Sequence, residues 1–117
     1  MDGELSADEL QAILGDDGVR VVDIRQRAVF ERGHIPGSEN IPFDQLPQEV
    51  DQLAGADHVV TVCPHGQASQ QAARLVASYE GIDDDARVDS LACGIEGWPS
   101  DLERSTGDEG PETDAPF

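Results

Sequence analysis

One cysteine in this chain of 117 residues stands where a thiol can become a nucleophile. Cys63 follows the β-branched run Val59-Val60-Thr61-Val62 and opens the segment Cys63-Pro64-His65-Gly66-Gln67-Ala68-Ser69. Ala68, Ala72, Leu75 and Val76 then recur at helical spacing, so the order read here is strand, tight loop, helix. The run has no polar alternation, which fits a strand buried on both faces of a parallel sheet. Cys63 then falls at the C-terminal end of that strand, where open α/β sheets place their ligands. The first N–H groups of a helix lack partners within it, and its dipole puts partial positive charge there. A loop folded over Gly66 turns further N–H groups toward one point, a nest for an anion. A thiolate at that point is favoured, and its pKa is expected below the ~8.5 of a free cysteine. The alternative is a buried cysteine that acts as a small apolar residue.

Other segments must hold this loop in place. Ser6-Ala7-Asp8-Glu9 is a capping box that opens a helix, with Leu10, Ile13 and Leu14 on one apolar stripe and Gly15 at its end. Val19 to Arg25 reads as a strand with Asp23 and Arg25 at its exit. They are either a charge pair at a strand end or neighbours of the Cys63 loop, and the two roles are compatible. A short helical turn spans Ala28 to Arg32, and Gly33 to Pro42 is a turn dense in Gly and Pro. His34 within it is expected to tie the loop down by hydrogen bonding rather than to act as a base or ligand. Leu46, Val50 and Leu53 mark a further helix with Pro47 in its first turn. The helix from Ala68 is expected to run to about Glu80, before Gly81. Asp83-Asp84-Asp85 reads as a solvated loop, not a cation site. A last strand, Val88 to Leu91, leads to Cys93-Gly94 and to Trp98, expected as a core anchor.

The length suits one domain, here residues 1–104, followed by an acidic tail, 105–117, that is expected to be disordered. Charge is extreme: 25 acidic residues against 7 basic ones, all arginine, for a net charge of −18. Such a surface repels nucleic acid and anionic membranes. It fits a protein adapted to concentrated salt, where the Debye length falls to about 3 Å at 1 M and self-repulsion is screened. A halophilic, archaeal source is the corresponding expectation. Two cysteines without a CxxC pair suggest no disulfide framework. No apolar run approaches the ~20 residues of a membrane span and no signal-peptide pattern opens the chain. A soluble, cytoplasmic protein with reduced thiols is expected. A metal site from Cys63, His65, His34 and Cys93 is rejected, because the spacings match no common zinc pattern and a metal would quench the nucleophile.

Val22-Asp23-Ile24-Arg25, then Phe30-Glu31-Arg32-Gly33-His34-Ile35-Pro36-Gly37-Ser38 and Asn40-Ile41-Pro42, resemble the paired signatures of the rhodanese (sulfurtransferase) domain. Cys63-Pro64-His65-Gly66 is similar to that family's active-site loop, and Gly94 to Trp98 resembles its Gly-Gly-x-x-x-Trp ending. The resemblance covers about residues 5 to 103, in the family's order. It implies an α/β fold, rhodanese-like, with a five-stranded, mostly parallel sheet and helices on both faces. It also implies that Cys63 is the nucleophile and that Pro64, His65, Gly66, Gln67, Ala68 and Ser69 form the loop that holds anionic substrate. Asp23, Arg25 and Cys93 are then expected around that site. Thiol chemistry supplies the cycle: the Cys63 thiolate takes the outer sulfur of a sulfane donor such as thiosulfate or a persulfide. A thiol, cyanide or a protein acceptor then removes it, with no cofactor and no metal. A monomer or weak dimer is expected, with no nucleic-acid or membrane partner.

The chain departs from the family's Cys-x-x-Gly-x-Arg loop, because Ala68 takes the arginine's place. Losing a charge-assisted donor costs about 1.5–3 kcal/mol, one to two decades in affinity or rate. The alternative to a working sulfurtransferase is therefore a sulfur carrier or binding module that keeps the fold without turnover. A phosphatase or arsenate reductase on this fold needs an arginine that neither Ala68 nor Ser69 supplies. Cys93 replaces the first glycine of the ending. The resemblance places its loop beside that of Cys63, with the sulfurs within about 10 Å, from where Cys93 resolves the persulfide. Alternatively, Cys93 fills a glycine's place against Trp98.

Overall fold

The computed structural model describes residues 2–82, 85–99 and 102–103. Asp83, Asp84 and the tail from Ser105 lie outside the described residues, so the acidic loop and the tail are not covered. Five strands form one sheet in the order β1-β5-β4-β2-β3: β1 is Asp2–Leu5, β2 Val19–Asp23, β3 Glu39–Asn40, β4 His58–Val62 and β5 Arg87–Leu91. Every pairing in the sheet is parallel. This is the expected rhodanese fold, with β4 at its centre and its apolar run buried from Val59 to Val62.

Side chains alternate along β4, and the alternation divides the core in two. Val59 and Cys63 join Val22, Ile24, Leu46, Val50, Leu53, Ala72, Ala73, Val76 and Val88 on one face. Val60 and Val62 join Leu5, Leu10, Val21, Ile35, Leu91, Ile95 and Trp98 on the other. The first face is covered by α3 (Leu46–Glu49) and α4 (Ala68–Ser78), the second by α1 (Ala7–Ile13) and the turn around Ile95–Gly97, and α2 (Arg27–Arg32) leads into the Gly33 turn. Ser6 caps α1 with the expected box, its hydroxyl accepting from the Glu9 N–H while Glu9 accepts from the Ser6 N–H. Trp98 is the expected core anchor, 8% exposed.

Two expectations are corrected in detail. The segment carrying Leu46, Val50 and Leu53 is not one helix but a 3-10 turn at Phe43–Gln45, one α turn at Leu46–Glu49 and a second 3-10 turn at Val50–Leu53. Pro47 has no N–H to continue the hydrogen-bond ladder begun at Phe43, which breaks the run. The helix α4 ends at Ser78, with Tyr79 as its cap, two residues before Glu80. Periodicity does not mark β1, whose Asp-Gly-Glu-Leu has little strand character of its own. It becomes an edge strand through pairing with β5 and through the Gly3 N–H, which donates to Asp89 at 3.0 Å. No helix among the described residues is long and apolar enough to cross a membrane.

Candidate active site

Cys63 is the first residue beyond β4, and the chain then folds back into α4 within four residues. That closure needs two glycines. Gly66 has φ +82° and Gly94 has φ +66°, both in the left-handed region. A Cβ on Gly66 would overlap the Ala92 carbonyl, and one on Gly94 would overlap the Pro64 carbonyl. Two backbones thus meet with no side chain between them. The Ile95 N–H donates to the Cys63 carbonyl at 2.9 Å and the Glu96 N–H to the Pro64 carbonyl at 3.0 Å. The loop after β5 is in this way the outer wall of the Cys63 loop. Inside, the Thr61 hydroxyl donates to the Ser69 carbonyl at 2.6 Å and fixes the start of α4 to β4.

The sulfur receives the donors that the spacing predicts. The Gly66 N–H lies 3.0 Å and the Ser69 N–H 3.3 Å from Cys63 Sγ. Ser69 is fully buried and its hydroxyl has no hydrogen-bond partner of its own, which leaves its proton for the sulfur. Burial is the largest single influence on the thiol and raises its pKa. The Ser69 hydroxyl and the N–H groups of Ser69, His65 and Gly66 outweigh it together, and the net shift is downward. Cys63 is 2% exposed, yet it lines a shallow cavity of about 140 Å³ with Pro64, His65, Gln67 and Ala68. These lining residues include no arginine or lysine. A thiol with a lowered pKa at the bottom of a small open cup suits attack on a slender, terminal atom.

The remaining residues singled out from sequence are placed as follows. Asp23 pairs in register with Val62, and the Ile24 N–H donates to the Val62 carbonyl at 3.0 Å, so β2 runs alongside the residue before Cys63. Asp23 itself alternates onto the face opposite Cys63 and grips Arg25 at 2.7 Å. Arg25 also donates to the Gly33 carbonyl at 2.6 Å, and Asn40 donates to the Asp23 and Arg25 carbonyls. The charge pair therefore fastens the Gly33–Pro42 turn to the end of β2. His34 does the same from the other side: its ring stacks on Phe30 at 3.9 Å, its Nδ1–H donates to the Phe30 carbonyl, and its backbone exchanges hydrogen bonds with Glu103. Cys93 follows β5, which does lie next to β4. Its side chain packs on the Trp98 cluster, across the sheet from the cluster of Cys63, and its thiol donates to the Gly94 carbonyl at 3.3 Å. Gln70 was not singled out by its sequence context, yet its amide reaches the Gly66 carbonyl at 3.1 Å.

Residues 6–101 match the family model described as the rhodanese-like domain. The chain belongs to the rhodanese-like family. Among curated rhodanese relatives, it is 35% identical over 94 residues to the thiosulfate sulfurtransferase GlpE of Shewanella oneidensis, covering 80% of this chain and 89% of that one. It is 26% identical over 93 residues to a putative sulfur carrier protein, YrkF, of Bacillus subtilis, of which the match spans 48%. Among solved structures, a rhodanese-like domain protein from Staphylococcus aureus superposes with a TM-score of 0.71 at 27% identity, over 87% of this chain and 97% of that one.

Proposed function

We propose that this chain is a rhodanese-type sulfurtransferase that carries sulfane sulfur as a persulfide on Cys63. The observation that carries the reading is the sulfur's setting: two N–H donors at 3.0 and 3.3 Å, an uncommitted Ser69 hydroxyl and an open cup above. The Cys63 thiolate attacks the outer sulfur of the donor, and the donor's old sulfur bond breaks with its electron pair. Thiosulfate leaves as sulfite; a persulfide leaves as a thiolate. The same donors that favour the thiolate then favour the persulfide anion, whose charge sits one atom further out. A thiol, cyanide or a protein thiolate attacks that outer sulfur and returns Cys63 to the thiolate. Each half-reaction conserves electrons and needs no cofactor.

A second reading, a sulfur carrier without efficient turnover, is favoured by a specific feature. Ala68 replaces the family's loop arginine, and among the described residues no arginine lines the cup to hold a dianionic donor. Both readings require the persulfide. They part at turnover, so steady-state transfer from thiosulfate to cyanide, compared with transfer from a protein persulfide to a thiol, separates them. Turnover with either donor supports the enzyme; a persulfide that forms once and is released only slowly supports the carrier.

We place the protein in a cytoplasm of high salt, as a monomer or weak dimer with small sulfane donors or protein persulfides as partners and neither nucleic acid nor membrane. The net charge of −18 without a single lysine supports this part of the proposal.

A further inference from the structure

The donor closest to the sulfur, the Gly66 N–H, belongs to a residue with wide conformational freedom. Gly66 at φ +82° has no side chain to fix it, and the peptides on either side can rotate unless something holds them. Three contacts do. Its N–H points to Cys63 Sγ at 3.0 Å, its Cα lies against the Ala92 carbonyl, and its own carbonyl accepts from Gln70 Nε2 at 3.1 Å. Gln70 sits in the first turn of α4, four residues after Gly66. Its amide nitrogen also donates to Glu4 Oε2 on β1, at 2.9 Å.

Both neighbours of the amide nitrogen, a carbonyl and a carboxylate, are acceptors only. An NH2 group has two protons, one for each, whereas an amide oxygen there would face two oxygens. Glu4 thus orients Gln70, and Gln70 orients Gly66. The chain of contacts runs from the edge strand, over the helix start, to the thiolate's nearest donor.

We propose that Gln70 is a positioning residue for the Cys63 thiolate: it fixes the Gly66 peptide so that its N–H stays aimed at the sulfur. The inference rests on Cys63 being the reacting group of the proposed function, but its test reads the ionisation of Cys63 alone. Sulfur transfer can fail while this stands, and the reverse.

The experiment is the pH dependence of Cys63 alkylation by iodoacetamide in the intact chain, read on the Cys63 peptide by mass spectrometry so that Cys93 does not contribute. Gln70→Ala should raise the midpoint, lowering the thiolate fraction below that midpoint about two- to tenfold, the span expected for one hydrogen bond. Gln70→Glu keeps the volume and removes the donor, and should raise it as well. Gln70→Lys restores a donor to both acceptors and should bring the midpoint back to the wild-type value or below. Unchanged midpoints in the Ala and Glu variants overturn the proposal. So does a Lys variant whose midpoint rises as far as that of Ala, because the donor would then be irrelevant. Melting curves run alongside; should Gln70→Ala not fold, the Glu and Lys variants decide.

Discussion

The Ile95 N–H donates to the carbonyl of Cys63 at 2.9 Å. This bond joins the loop after β5 to Cys63, which lies more than thirty positions earlier in the chain. It exists because Gly94 lets the two backbones touch. The glycine-to-tryptophan ending therefore serves the Cys63 loop directly, as its wall, besides anchoring Trp98 in the core.

Gly94→Ala should accordingly damage both stability and reactivity. The φ of +66° disfavours a side chain, and the new Cβ would press on the Pro64 carbonyl. A cost of about 1–3 kcal/mol is expected for such strain. Denaturant melts give the stability change, and the rate of Cys63 alkylation at neutral pH should fall with it.

The lowered pKa of Cys63 makes a signed prediction. A thiol whose folded pKa is depressed stabilises the fold fully above its unfolded pKa, about 8.5, and loses that contribution as pH falls through the folded value. The stability difference between wild type and Cys63→Ser should therefore grow from neutral pH to about pH 9. Paired chemical melts at several pH values measure it.

Ser69→Ala should separate the hydroxyl from the backbone donors. The Ser69 N–H and the Thr61 bond to its carbonyl remain, while the uncommitted hydroxyl is lost. The alkylation midpoint of Cys63 should rise, with a thiolate fraction about two- to tenfold lower below it. Stability at acid pH, where Cys63 is a neutral thiol, should change by less than about 1 kcal/mol, because the hydroxyl favours the thiolate and not the thiol.

Much of this site was legible because local signals agreed with one another. The β-branched run before Cys63, the Gly66 turn and the helical spacing after Ala68 each pointed to one geometry, and the fold imposes nothing against them. What sequence could not supply were relations across elements. Glu4 to Gln70 to Gly66 joins a strand without strand propensity to a helix start, and a glutamine there looks like any solvated residue. Cys93 illustrates the same gap. Its loop could be placed beside that of Cys63 from the family resemblance, but which face its side chain takes is set by the turn after Leu91.

Salt dependence tests the charge argument on its own. Screening lengthens from about 3 Å at 1 M salt to about 10 Å at 0.1 M, and the surface carboxylates then repel one another. The melting temperature should rise between low and molar salt, with loosening below roughly 0.5 M. A melting temperature that stays flat or falls would remove the support for a high-salt host.

The central claim is that Cys63 carries transferable sulfur, and intact-mass spectrometry after incubation with thiosulfate or a small persulfide tests it most directly. Wild type should gain the mass of one sulfur atom, located on the Cys63 peptide and lost again on addition of cyanide or a thiol. Cys63→Ser should gain nothing while keeping the wild-type melting profile at neutral pH. An adduct of the same size and lability in Cys63→Ser, or no adduct on wild type with either donor, would contradict the account.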